Sequence, residues 1–508
     1  MSREARFRLF NTLTGAVEPV IPREPKHLRM YGCGPTVYSY AHIGNFRSFL
    51  TADLILRTAQ ALGWKTTYVS NITDVGHLST DDTIDPSGED RMARALRSKE
   101  GERFPNVWDL ARYYTDAFLQ DWDALGLLEP DVRPRAIEHV RELIQAIEEL
   151  VAAQLAYETS LGVYFSVPGF ADYGKLSGNE KASLLRNAAR DVVVDTEKRD
   201  PRDFALWKKD PHHLMQWHSP WGWGFPGWHI ECSVMAQIYL GDEIDLHTGG
   251  EDLIFPHHEC EIAQAESLTG KPFARHWAHT RFLQVEGRKM SKRFGNFLRV
   301  RDLLGSHAAQ EKNLALRMAL ISGQYRKPYN FTRATLRDAG VHIGRFKRAR
   351  DIIQNATDSQ HSGRDNLCDL LRNTYRHALH AMADDLNTPV AIAAALSGTK
   401  SILENGYDLS AAAARSAKTF LDQIDALLGV IPQSPAATAE PGESQAASAV
   451  GGNGIDVKAV ERLIGERRKA RARKDYARAD ALRDEILALG VELHDTPSGP
   501  KWRPKTTL

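Results

Sequence analysis

Apolar positions change their period several times along this chain, and the changes divide it. Leu28 to Gly32 is a short apolar run, Arg47 to Leu62 repeats its apolar side chains at helical spacing, and Thr66 to Ile72 is strand-like again. Strand, helix and strand in that order predict the first half of a doubly wound parallel sheet. Between residues 100 and 160 the period is helical, as in Ala136 to Leu155; a strand-like run, Val163 to Val167, and a polar stretch to Arg202 follow. These residues read as an insertion that splits the nucleotide-binding fold. Pro220 to Gly227, PWGWGFPG, reads as a turn-rich loop, a mobile cover over whatever lies beside it. The sheet pattern resumes with Glu243 to Gly249 and with the alternating run His276 to Val285.

From about Asp302 to Ile431 the pattern is helical and in places alanine-rich, as in Ala391 to Leu396 and Ala411 to Leu428, which predicts a helical bundle. Gln433 to Gly454 is small, polar and punctuated by Gly and Pro, the composition of a disordered linker. Val457 to Leu489 is helical again, Val491 to His494 strand-like, and the turn Pro497-Ser498-Gly499 leads to Trp502. The expected organisation is an α/β Rossmann-type domain in two halves, 1–100 and 206–301, with a mostly helical connective insertion at 101–205. A helical bundle at 302–432, a linker at 433–454 and a small mixed α/β domain at 455–508 complete it.

Composition changes this picture little but closes several options. The chain has 508 residues, room for several cores, and its 65 basic residues balance 65 acidic ones. No global charge marks it as a binder of nucleic acid, so any RNA contact must come from local patches. Nothing calls for DNA. Four cysteines, at 33, 232, 260 and 368, are too few for a disulfide framework and suit a reducing compartment with metal-bound thiolates. The start, Ser2-Arg3-Glu4-Ala5-Arg6, is polar and no run approaches a membrane span. A soluble, cytoplasmic protein is expected.

Candidate chemistry gathers at three places. The first is Met30 to Phe46, MYGCGPTVYSYAHIGNF, where an apolar strand runs into a Gly-Pro turn holding Cys33 and then into His42-Ile43-Gly44-Asn45 at a helix start. Unpaired backbone N–H groups and the positive dipole end converge there, so it suits an anion. Gly44 lets a phosphate or ribose approach the backbone, and His42 can donate to charge developing on it. The second is Gly287-Arg288-Lys289-Met290-Ser291-Lys292-Arg293, framed by glycines at 287 and 295, whose two lysines suit a triphosphate. The third is Trp228 to Cys232 with Phe255 to Glu261. His257 and Glu261 are i and i+4, one helical face, and with Cys33 and Cys232 they form a Cys₂HisGlu set suited to zinc. Spacing alone leaves open a buried Cys and an exposed His-Glu face.

The first two segments, in that order, resemble the HIGH and KMSKS signatures of class I aminoacyl-tRNA synthetases. With GWHIECS at Gly227 to Ser233 and FPHHE at Phe255 to Glu259, the whole chain, from Phe10-Asn11-Thr12-Leu13 to Trp502, resembles the cysteinyl-tRNA synthetase family of bacterial type. Asn71-Ile72-Thr73-Asp74, Asp385-Leu386-Asn387-Thr388-Pro389 and Lys474-Asp475-Tyr476 fall in the family's order. Four departures accompany the match. Asn45 stands for the signature's last His and Arg293 for the last Ser of KMSKS. Cys260 stands for the usual Asn and offers a competing metal ligand, and Asp74 is followed by Val-Gly-His-Leu.

The resemblance implies an ATP-dependent enzyme that converts L-cysteine to its adenylate and passes it to the 3′ end of cysteine tRNA, with ATP carried as a Mg²⁺ complex. It implies catalytic roles for His42, Asn45, Lys289 and Lys292, and ATP contacts from His42, Gly44, Gly249, Asp252 and Lys292. It implies one zinc on Cys33, Cys232, His257 and Glu261, and cysteine contacts from Cys33, Thr73 and Trp228. The anticodon would be read by Arg471, Tyr476, Asp480 and Asp495. His229 and His247 are either packed core histidines or partners behind the metal ligands. A ligase joining cysteine to a small amine, or a non-catalytic tRNA-binding paralogue, would share much of this site. The tethered basic C-terminal segment argues against the first, and both retained lysines against the second.

Overall fold

The computed structural model describes residues 6–76, 90–178, 197–290, 295–305, 309–354, 365–406, 409–433, 457–472, 475–489, 491–496 and 499–504. They form two compact units that divide between Ser434 and Pro435.

Strands are numbered in chain order. A hairpin of β1 (Arg8–Asn11) and β2 (Ala16–Pro19) precedes β3 (His27–Gly32). The Ile43–Ala61 helix then leads to β4 (Lys65–Ser70). That helix is buried nearly all round, by Phe46, Phe49, Leu50, Leu54 and Ile55 among others, so it is a core element and not an amphipathic surface one. The sequence puts His42 to Asn45 at its start, with the apolar pattern legible from Arg47. His42 caps it, an unusual N-cap type that propensity does not announce, and the helix begins at Ile43.

The central sheet is completed by β10 (Ile244–Gly250) and β11 (Ala274–Thr280) in the order β11-β10-β3-β4, every pair parallel. From the adjacent strands β3 and β10 the crossovers run outward in opposite directions. Right-handed connections therefore place the Ile43–Ala61 and Glu259–Thr269 helices on opposite faces and open a crevice at the carboxyl ends of β3 and β10.

Between β4 and β10 lie the Val107–Ala124 and Val140–Ala152 helices and a five-stranded antiparallel sheet, order β5-β6-β7-β9-β8. Its strands are β5 (Ala156–Glu158), β6 (Gly162–Phe165), β7 (Phe204–Lys209), β8 (Trp217–Ser219) and β9 (Gly222–Pro226). This sheet carries chain from both sides of residue 205. The stretch that reads as a covering loop is its last hairpin, with Trp217 opposite Gly224 and Ser219 opposite Gly222. Pro and Gly dominate its sequence, but the backbone of β9 finds a partner in β7, Trp207 opposite Pro226, and pairing overrides the turn signal.

After β11, the short strands β12 (Leu283–Val285) and β13 (Arg288–Lys289) make a hairpin, and β14 (Tyr329–Phe331) pairs with β12. The helices Gln310–Ile321, Arg333–Gln354, Asp365–Ala383, Thr388–Asn405 and Ala411–Leu428 form the bundle.

The second unit pairs the helices Val457–Ala472 and Tyr476–Ala488 with an antiparallel ribbon of β15 (Val491–Thr496) and β16 (Gly499–Pro504). Val460, Leu463, Leu482, Ile486 and Val491 make its core. Among the described residues no helix is long and apolar enough to cross a membrane.

Candidate active site

The carboxyl ends of β3 and β10 open into a cavity of about 380 Å³. Cys33, His42, Gly44, Asn45, Thr73, Trp228, Cys232, Asp252, His257 and Lys289 all line it, so three segments far apart in sequence share one chamber. Each arrives on a rigid support. Cys33 follows β3 directly, and Gly34 lies so close to the Asn71 main chain that any Cβ would collide with it. Gly227 leads from β9 into the Trp228–Leu240 helix that carries Cys232. His257 sits in an irregular turn, Ile254–His258, broken by the extended Phe255, and Glu261 in the first turn of the Glu259–Thr269 helix.

At one end of the chamber the four predicted metal ligands meet, all buried, their donor atoms within 4.8 Å of one another. The two sulfurs lie 3.8 Å apart. Glu261 Oε1 is 3.4 Å from Cys33 Sγ and 3.0 Å from His257 Nε2. Trp228 stacks on His257 with centroids 4.2 Å apart. Two histidines that the sequence leaves ambiguous stand behind the ligands. His247 Nε2 lies 2.9 Å from Glu261 Oε2, and His229 Nδ1 lies 3.0 Å from His257 Nδ1. His258, not expected from the sequence, reaches Cys33 Sγ at 3.3 Å, and a second overlapping set, Cys33, His247, His258 and Glu261, is equally close-knit. The His257-His258 doublet is its one signal in the sequence. Cys260 faces away, into a core where the Tyr173 hydroxyl is 3.5 Å from its sulfur.

The electrostatics divide the two thiols at this end: burial first, then Cys232 and Glu261, push the Cys33 thiol well above its usual value. Burial works to raise the Glu261 carboxyl, but His247 and His257 hold it well below its usual range. Burial also opposes ionisation of Cys232, yet the hydrogen bond from Cys33 and the neighbouring His257 bring its thiol down to about 6. Burial would lower His257, but Glu261 and Cys232 raise it to about 10. Burial first, and neighbouring imidazoles second, drive His229 and His258 well below the ordinary imidazole value. A thiol and a carboxyl that both prefer their charged forms, deep in the protein, suit a divalent cation.

The other end of the chamber is built on the Ile43–Ala61 helix start. His42 Nδ1 accepts the Asn45 backbone N–H at 3.0 Å, and Asn45 Oδ1 accepts the His42 N–H at 3.0 Å. This reciprocal cap fixes the neutral tautomer, with the His42 proton on Nε2. It also explains Asn45, whose amide oxygen serves as the returning half of the cap. A Cβ on Gly44 would meet the His42 ring at 3.0 Å and Met290 Cε at 3.1 Å, so a side chain there would have to push both back by a few tenths of an ångström. Lys289 is exposed on β13, its ammonium 5.4 Å from the Phe282 ring centroid. Gly250 lines the chamber where Gly249 is expected; Gly249 lies beneath, within 2.7 Å of the His258 ring if given a Cβ. Ser291, Lys292 and Arg293 lie outside the described residues.

The remaining predicted residues belong to the second unit. Arg471 lies in the last turn of one helix, Tyr476 begins the next, Asp480 is exposed one turn further on, and Asp495 lies on β15 opposite Pro500.

A parallel switch-point crevice with a capped helix on one side and a lysine hairpin on the other belongs to a fold shared with two solved structures. Mycobacterium tuberculosis methionyl-tRNA synthetase in complex with methionyl-adenylate aligns at a TM-score of 0.53 with 14% identity, over 79% of this chain and 88% of that one. The ternary complex of Agrobacterium radiobacter K84 agnB2 LeuRS-tRNA-LeuAMS aligns at 0.55 with 11% identity, over 80% and 84%. Identities so low speak for fold alone, and the fold is that of the class I tRNA synthetases, whose (C) catalytic-domain profile matches residues 19–340. Residues 457–503 match the Cysteinyl-tRNA ligase anticodon binding domain. A cysteine–tRNA ligase of Salinibacter ruber is 57% identical over 98% of both chains, and one of Chlorobaculum tepidum 39% identical over 98% of this chain and 99% of that one. The chain belongs to the cysteine–tRNA ligase family.

Proposed function

We propose that this chain condenses L-cysteine with ATP to form cysteinyl-adenylate and pyrophosphate, then transfers the cysteinyl group to the 3′-terminal ribose of cysteine tRNA in the cytoplasm. The observation that carries the reading is the chamber itself, with a Cys₂HisGlu cluster at one end and a phosphate-binding helix start with Lys289 at the other. A tetrahedral zinc with bonds of about 2.0–2.3 Å sets its ligand atoms about 3.3–3.8 Å apart. The cluster's spacings of 3.8, 3.4 and 3.0 Å are close to that. Bound there, zinc would supply a soft Lewis acid for the substrate's thiolate, a distinction from serine that shape alone makes by only about 10–200-fold.

The protein's own groups then do the positioning. Trp228 and Thr73 wall the amino-acid end. His42, its proton held on Nε2 by the cap, donates to the ATP phosphates beside Gly44, while Asp252 and Gly250 line the nucleotide side. Lys289, and Lys292 from the same segment, neutralise charge that grows on the β- and γ-phosphates as pyrophosphate departs, which favours the transition state over the ground state. ATP enters with Mg²⁺. In the second unit Arg471, Tyr476, Asp480 and Asp495 contact unstacked anticodon bases by stacking and base-edge hydrogen bonds.

Cysteine-dependent ATP–pyrophosphate exchange, with serine as competitor, tests the first step, and charging of cysteine tRNA tests the second. Exchange driven equally by serine, or no exchange at all, would overturn the reading.

A further inference from the structure

Arg47 is 2% exposed, yet among the described residues no carboxylate lies within ion-pair distance of it. Its guanidinium instead grips main-chain oxygens. Nη1 donates to Arg281 O at 2.6 Å, and Nη2 to Gln324 O at 3.0 Å and Lys327 O at 3.4 Å, with the Tyr329 ring 5.3 Å away. Burial without a paired counter-charge lowers its pKa to about 10, the direction expected for a cation stripped of water. An apolar side chain of that volume would be easier to bury. The fork therefore has a use that packing does not explain.

What it grips identifies the use. Arg281 lies just ahead of the β12–β13 hairpin that bears Lys289, and Gln324 and Lys327 precede β14, which pairs with β12. The same short segments are tied to one another, since Arg281 N–H donates to Tyr325 O at 2.9 Å. Glu251, next to cavity-lining Asp252, accepts the Phe282 N–H at 2.6 Å and pairs with Arg281. Arg47 itself lies on the helix that His42 and Asn45 cap, less than one turn beyond Gly44. One buried side chain thus joins the helix that begins the phosphate site to both roots of the small sheet that carries its lysine.

We propose that Arg47 is a positioning residue for adenylate formation, holding the Lys289 hairpin in register with the His42–Asn45 helix start. The inference rests on the reading of the chamber as an ATP site. A guanidinium suits this place because Nη1 and Nη2 reach carbonyls of two separate segments in one fixed plane, whereas an ammonium would have to gather all three oxygens round a single nitrogen on a flexible stem.

The test is a double-mutant cycle on cysteine-dependent pyrophosphate exchange in the full chain. Arg47→Met is expected to lower kcat by about 10–100-fold, as a displacement of about an ångström does, with zinc content and the KM for cysteine changed by less than about threefold. Lys289→Ala lowers kcat by itself, and adding Arg47→Met to it costs no more than a further factor of about three, because Arg47 acts through that hairpin. Arg47→Lys recovers little. If Arg47→Met does not fold, Arg47→Gln, which keeps two donors, replaces it in the cycle. Losses that multiply independently, a wild-type rate in Arg47→Lys, or a parallel fall in zinc content would overturn the proposal. Absence of exchange in the wild-type chain would sink the ATP-site reading instead.

Discussion

Arg317 and Asp53 form an ion pair in the interior, with both side chains buried. Arg317 also donates to Leu428 O at 2.8 Å and to Leu125 O and Gly126 O at 3.0 Å, and Asp53 accepts the Leu128 N–H at 2.8 Å and Arg57 Nε at 2.8 Å. The pair fastens the Ile43–Ala61 helix to the bundle, because Arg317 lies on the Gln310–Ile321 helix and Leu428 ends another. Gly429 leaves room for it, since a Cβ there would press on the guanidinium.

Arg317→Met should therefore destabilise the larger unit by about 3–5 kcal/mol, the effect of leaving a buried carboxylate alone, read from the urea midpoint. The pH dependence has a definite sign. Burial works to raise Asp53, but Arg317 and Arg57 hold it below the ordinary value. Its stabilisation is present above the unfolded pKa of about 3.9 and fades as pH falls through the lower folded value. The urea midpoint of the wild type should decline into that window, and Arg317→Met should decline less steeply. An unchanged slope would mean that other carboxylates dominate acid unfolding.

Elemental analysis separates the proposed metal ligands from their neighbours. Cys232→Ala and Glu261→Ala should lose zinc and cysteine affinity together, and metal affinity should weaken in acid as thiols and imidazole take up protons. Cys260→Ala, whose sulfur faces away from the cluster towards Tyr173, should leave zinc content unchanged. Loss of metal in Cys260→Ala with retention in Glu261→Ala would put the fourth ligand elsewhere.

Asn45 has two separable roles. Asn45→Ala removes half of the reciprocal cap and should cost about 1 kcal/mol of stability. Asn45→Asp keeps an acceptor for the His42 N–H but sets a carboxylate at the phosphate end of the chamber, so stability should hold while the KM for ATP rises. Thermal unfolding and exchange kinetics measured side by side decide it. Wild-type kinetics in Asn45→Asp would reduce this residue to a cap.

Removing residues 435–508 takes away the second unit and leaves the chamber intact. Pyrophosphate exchange should persist, while charging of cysteine tRNA should fall by at least the one or two orders of magnitude that lost base contacts of about 1–3 kcal/mol each imply. Undiminished charging would leave the unit without an anticodon role.

Residue types alone make much of the site legible. Two cysteines, a histidine and a glutamate are soft-metal residue types, although their spacing leaves a buried Cys and an exposed His-Glu face open, and Leu28 to Gly32 reads as a strand because local pattern and burial agree. What stays hidden depends on register and on distance along the chain. His247 meets Glu261 only because β10 pairs with β3 and so turns that side chain towards the ligands. Arg47 reads as a polar interruption in an apolar helix until Arg281, Gln324 and Lys327 come round to it. The β8–β9 hairpin is disguised by its own turn residues, and its strand character comes from β7, not from local preference.

That hairpin has a mechanical consequence. β9 ends at Pro226, Gly227 donates to Leu206 O on β7 at 2.8 Å, and the chain passes without a spacer into the helix bearing Trp228 and Cys232. The inserted sheet is thus not an appendage on a hinge but a lever coupled in series with the chamber wall that Trp228 and Cys232 form. Whatever pushes on it displaces the pocket wall, and a foreign insert of the same length would throw the pocket out of alignment even with every ligand retained.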